Sequence, residues 1–180
     1  MTISMIKKSL LIKSGKHLGL YIGKWSSKVL QSVVDKPANQ EVTDDWISVL
    51  MLTNALFYIV IDREAYNILS EPDRVIFADS IIDQIANSHS DMWNKPKEVK
   101  PTMLNWFSKQ LNELGQYGKT LLPEKDKSPA GTLYWEYIKL LGNHGVDLES
   151  SIEIYKLISD ILPEMYGQLN PTLELLKTKI

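Results

Sequence analysis

The chain has 180 residues, 44% of them hydrophobic and 23% charged, and it contains no cysteine. That composition is ordinary for one soluble globular domain with a full core. The missing cysteines exclude disulfides, thiolate zinc centres, iron–sulfur clusters and cysteine nucleophiles, and make a reducing, cytoplasmic location the expectation.

The net charge of −2 is unevenly spread. Residues 1–34 carry Lys7, Lys8, Lys13, Lys16, Lys24 and Lys28 and no acid, while the rest holds 14 basic and 22 acidic side chains, a net −8. Such an asymmetry fits a basic arm for an anionic surface, or a basic helix docked on the acidic body of its own chain. The second is favoured, because the same segment is strongly apolar. The start "MIKKSLLIKSGKH" has too short an apolar run, Leu10 to Ile12, for a cleaved signal.

In chain order, the spacing predicts a first helix over about 3–34, ended by Pro37. Leu11, Leu18, Ile22, Trp25, Val29 and Val33 form one stripe on it, with Lys13, Lys16 and Lys24 opposite. Gly15, Gly19 and Gly23 recur every four residues at the edge of that stripe. Glycine costs about 1 kcal/mol against Ala in a helix, so three on one side need a reason. "GLYIGKW" is no phosphate loop: three residues separate its glycines, and Trp25 stands where a hydroxyl is required. A packing seam is the remaining reading, with Gly15, Gly19, Gly23, Leu18, Ile22 and Trp25 as the interaction residues. The segment 1–34 is expected to be a basic amphipathic helix, semi-detached at most, within a single domain spanning 1–180.

A second helix over about 43–69 is expected to be capped by Thr43, Asp44 or Asp45. Only Ser48, Thr53 and Asn54 interrupt its apolar run from Trp46 to Ile61. Sixteen residues fall short of the roughly 20 that span a bilayer, so this reads as the central core helix. Ser70 and Asp73 predict a capping box opening a third helix that reaches about Ser88. "NKPKEVKP" (94–101) reads as a linker, followed by a fourth helix over about 102–118. Ser128-Pro129 is expected to open a fifth helix ending in "GNHG" (142–145). Asp147 should cap a sixth running to about Leu162, and Asn170-Pro171 should open a short seventh. The fold class is therefore an all-α, single-domain bundle of about six to seven helices around the hydrophobic helix 43–69.

Few residues point to chemistry. The positions three before His17, His89 and His144 are Ser14, Ala86 and Leu141, so the Glu-x-x-His pattern of di-iron bundles is absent. Asp79 and Asp83 are four apart, share a helix face and are the candidates for a cation or acid–base role; a solvated face is the simpler reading. His89, near the end of its helix, is expected to interact with the last carbonyls. Asp62, Arg63 and Glu64 follow the core helix, and charges there must find partners. They are the catalytic candidates if the protein is an enzyme; a structural ion pair made by Arg63 is the preferred alternative. Trp46 and Trp135 have acidic neighbours, which argues against a base-stacking surface and hence against nucleic acid.

No cofactor is indicated, and no small-molecule ligand can be named. The leading expectation is a non-enzymatic interaction or accessory protein that binds a partner or itself through the first helix or an apolar groove. The alternatives are a peripheral protein on an anionic membrane, with Tyr21 and Trp25 near the headgroups, and an enzyme built on the carboxylates above.

Overall fold

A computed structural model describes residues 3–33, 44–90, 96–115, 120–121, 128 and 130–180. Among them are helices α1 (Ile3–Val33), α2 (Asp44–Tyr66), α3 (Glu71–Ser90), α4 (Pro96–Gly115), α5 (Leu133–Asn143) and α6 (Leu148–Lys179), and no strand. The all-α bundle holds.

α2 is the centre. Every residue from Met51 to Ile61 is buried, and the helix packs on α1, α3, α4 and α5. Its two fully buried polar residues both reach partners outside the helix. The Thr53 hydroxyl lies 2.8 Å from the Tyr137 hydroxyl of α5, and the Asn54 amide lies 3.0 Å from His89 Nε2 of α3. At 23 residues the helix is longer than its apolar run suggests, and Trp46–Tyr66 matches a membrane span in length and composition. Within the bundle, 78% of its most apolar window is buried by the other helices. Its expected caps lie outside the described residues and side chains.

α1 docks along its length on α3, α6 and α2. Leu11, Leu18, Ile22, Trp25 and Val29 are all fully buried, a contribution on the order of 10 kcal/mol before the entropy of ordering. Lys7 pairs with Asp73 at 2.8 Å and Gly15 meets Phe77 and Ser80, so α1 runs parallel to α3. Contacts from His17 to Gln168 and Lys28 to Glu164 make it antiparallel to α6.

Three boundaries differ from expectation, each for an identifiable reason. α4 begins at Pro96 rather than after the "NKPKEVKP" segment, with Pro101 inside it. Proline is tolerated at the first helical position, and so early in a helix Pro101 removes only one backbone bond. α5 begins at Leu133, where Thr132 Oγ1 accepts from Trp135 N at 3.2 Å; the expected opening at Pro129 lies outside the described residues. α6 is one helix through Pro163 and Pro171, not a sixth and a seventh. Its buried stripe of Ile154, Ile158, Ile161, Met165, Leu169, Leu173 and Leu176 crosses both prolines in register. That burial outweighs about 3 kcal/mol of local cost at each proline. Asp147 caps α6 as expected, accepting from Ser150 N at 2.7 Å.

Candidate functional site

The glycine seam is the tightest feature of the fold. A Cβ added at Gly15 would stand 2.6 Å from the Phe77 carbonyl oxygen and 2.7 Å from Ser80 Cβ. At Gly19 it would stand 2.7 Å from the Ile81 carbonyl oxygen. Only a residue without Cβ lets the α3 backbone come this close. Gly23 differs: its nearest neighbour would be Ser88 Cβ at 3.4 Å, an ordinary contact. The two helices cross at Gly15 and Gly19 and part at Gly23. The helix lying against the glycines therefore belongs to this chain, and Leu18, Ile22 and Trp25 are buried beside them.

Burying that stripe turns the opposite side of α1 outward. Lys13, Lys16, His17, Leu20, Lys24 and Lys28 are all exposed, and the lysines spread over about 22 Å of helix at 1.5 Å per residue. Among the described residues, the acidic relief on this face is a 3.5 Å pairing of Lys28 with Glu164. Clefts flank the ridge on both sides. The cleft toward α6 (≈ 360 Å³) includes Leu10, Lys13, His17, Pro171 and Leu175. The cleft toward α3 (≈ 440 Å³) includes Leu20, Gly23, Lys24, Lys28, Ser88 and His89.

The carboxylate candidates converge only in part: burial, and then Asp62 and Asp79, raise the Tyr58 phenol, while Glu64 and Asp83 have other neighbours. Asp62 turns to α3, where Arg74 Nη1 stands 3.8 Å away and the guanidinium covers the Tyr66 ring at 4.8 Å. Burial raises the Asp62 carboxyl above its usual range, and Arg74 only partly offsets this. Burial, with Asp62 adding to it, also raises the Tyr58 phenol. Glu64 faces the other way, toward Tyr166 of α6, whose phenol is raised by burial and then by that carboxylate. Arg63 is half-buried between these directions. Asp62 pairs with Arg74 of α3 at this end of α2, and the place of Arg74 four after Ser70, one turn into α3, is the sequence signal for it. A cleft of ≈ 450 Å³ lined by Tyr66, Leu69, Glu71 and Arg74 opens beside it.

Asp79 is exposed, while Asp83 is held by Lys100 of α4 and by Asn87 Nδ2 at 3.2 Å. The pair thus divides between solvent and an interhelical tie. Among the described residues no group of three or more His, Asp or Glu is placed to hold a metal. His89 departs from expectation. It is 2% exposed and bonds Asn54 rather than the carbonyls ending its helix, and burial pushes its pKa from 6.5 down to about 4. Ser70 does meet Asp73 as a box, but side chain to side chain: Ser70 Oγ donates to Asp73 Oδ2 at 2.5 Å. Burial pushes the Asp73 carboxyl up, and the bonds from Lys7 and Ser70 outweigh it, so its pKa ends below the usual range.

Compared with protein-family models, curated proteins and solved structures, the chain matches none. The class defined by fold and surface is an all-α bundle with a cationic, lysine-lined helix on its exterior.

Proposed function

We propose that the protein is a non-enzymatic interaction module whose docking surface is the outer face of α1, and that its partner is an acidic polypeptide. The supporting observation is the exposed row Lys13, Lys16, Lys24 and Lys28 on a helix that carries no acid from Ile3 to Val33. Like charges gathered on one face cost stability through mutual repulsion, and an acidic partner relieves it while gaining association rate. The clefts beside the ridge have the proportions for apolar side chains of a helical or extended segment. The division of Asp62 and Glu64 between different neighbours supports a binding role over a catalytic one.

The test is fluorescence anisotropy with labelled poly-L-glutamate at low and high salt. Saturable binding that weakens with salt, and that falls at least about tenfold in the triple variant Lys13→Glu, Lys16→Glu, Lys24→Glu, supports the reading. No binding at low salt, or equal binding by the triple variant, overturns it.

A second reading, docking on an anionic membrane, has its own support at one end of the bundle. The helix directions bring the start of α1, the start of α3 and the end of α6 together. Met5, Ile6, Val75, Leu175 and Ile180 are exposed there, with Lys8, Lys177 and Lys179. The contact is end-on: the apolar stripe of α1 is buried, and Trp25 with it, so Trp25 does not reach headgroups in this fold. Sedimentation with phosphatidylserine-containing and pure phosphatidylcholine vesicles separates the outcomes. Equal recovery with both kinds of vesicle rules the membrane reading out.

A further inference from the structure

Resting on the reading of α1 as a docking face for acid, we infer that the partner is a second copy of this chain, which presents the outer face of α6 in a twofold dimer. A second charged row is the reason. Glu149, Glu153, Asp160 and Glu164 are exposed on α6, and Lys156 is the single base between the first and the last of them. Spacings of 4, 7 and 4 residues keep the acids on one side of the helix. Among the described residues, Glu164 is the one acid of the four in an ion pair, with Lys28. The lysine row of α1 has nearly the same spacing. Lys13, Lys24 and Lys28 correspond to Glu149, Asp160 and Glu164, with steps of 11 and then 4 residues in both rows. Lys16 falls one residue short of the place that corresponds to Glu153. At 1.5 Å per residue each row is about 22 Å long.

The fold sets the two rows end to end. Because α1 and α6 are antiparallel and Lys28 reaches Glu164, the lysines run away from that pair in one direction and the acids in the other. One side of the bundle thus has a positive half and a negative half, joined at Lys28 and Glu164. A twofold axis lying in this face, across the helices at that pair, sets each positive half on the negative half of the other copy. The same rotation makes α1 parallel to the α6 it meets, which is the direction in which the spacings correspond. Both contacts form together, so the assembly closes at two chains. Leu20 and Ile152, exposed within the two rows, add apolar contact. Charge gives such a contact its register and rate more than its strength, so the dimer is weak and sensitive to salt.

The test is analytical ultracentrifugation of the full chain over a range of concentrations, at low and at high salt. A dimer at low salt that dissociates at high salt is expected. The triple variants Lys13→Glu, Lys16→Glu, Lys24→Glu and Glu149→Lys, Glu153→Lys, Asp160→Lys should each weaken it at least about tenfold. Mixed together, the two triples should recover a dimer with one chain of each, since their faces are again opposite in charge. Carbodiimide coupling of unlabelled with heavy-isotope-labelled wild type should join Lys13 to Glu149 and Lys24 to Asp160 between chains. That result is read on the wild-type chain, so it stands even if a triple variant fails to fold. The dimer is overturned by a monomer at low salt, by indifference to salt, by mass that climbs past two chains with concentration, by folded triples that recover nothing on mixing, or by cross-links centred elsewhere. A chain that stays monomeric yet binds poly-L-glutamate overturns the dimer alone; one that does neither overturns the acidic-partner reading with it.

Discussion

Asn54 and His89, 35 residues apart, meet at 3.0 Å in the interior, where α2 and α3 pack. Each is the answer to the other's burial. An amide on the core helix and an imidazole facing it would each cost roughly 1–3 kcal/mol without a hydrogen bond.

His89 makes the fold acid-sensitive. The folded state holds the ring neutral with a pKa of about 4, against 6.5 when unfolded, so between those values the unfolded chain binds more protons. Stability should be full above pH 6.5 and fall as the pH drops toward 4, by roughly 3 kcal/mol from this group. Urea unfolding of wild type and His89→Gln at pH 7.0, 6.0 and 5.0 measures it. The variant keeps an amide for Asn54 and should lose most of the slope; an unchanged slope would place the proton elsewhere.

The three glycines should separate into two behaviours. Gly15→Ala and Gly19→Ala force a Cβ against α3 backbone oxygens and should each cost about 1–3 kcal/mol. Gly23→Ala should be neutral, or stabilising by up to about 1 kcal/mol. Thermal unfolding of the three variants decides it, and equal losses at all three positions would contradict the seam.

Asp62→Asn should be nearly silent. The carboxyl is raised by burial despite Arg74, so at pH 7 its ionised form is no gain to the folded state. With both side chains about 30% exposed, the pair is worth under about 1 kcal/mol. A loss of more than about 2 kcal/mol in chemical denaturation would show that the Asp62–Arg74 pair fixes the helix register.

Pro163 stands exposed in the middle of α6. Pro163→Ala restores a backbone bond to Ser159 and removes a ring clash, and should stabilise the protein by about 1–3 kcal/mol. A decrease in melting temperature would mean that the proline sets a bend on which the packing of α6 depends.

Ser26 is fully buried, and its hydroxyl has no hydrogen-bond partner among the described residues. Ser26→Ala removes the unpaired group and improves helix propensity, so a gain of about 1 kcal/mol is expected. Destabilisation on equilibrium unfolding would refute this.

How far the sequence reached depends on the range of the interaction. The apolar stripe of α1, the continuous burial of α2 and the Asp147 cap are periodic or local, and a periodic or local pattern is visible in the chain itself. The break expected between Leu162 and Asn170 is instructive, because two local proline signals masked a seven-residue stripe that ran straight through them. The stripe prevailed because burial along a whole helix outweighs a single missing bond. Which helix the glycines face, that Arg74 rather than a residue on α2 itself answers Asp62, and that His89 turns inward to Asn54 were all settled by packing between distant segments. These are contacts across 12 to 65 residues of chain, and no spacing rule within a helix encodes a partner on another. By itself, the sequence determined that the chain is helical and which side of each helix is apolar. Only the tertiary structure decided which polar groups were paired inside and which lysines were left facing out, because burial is a property of neighbours.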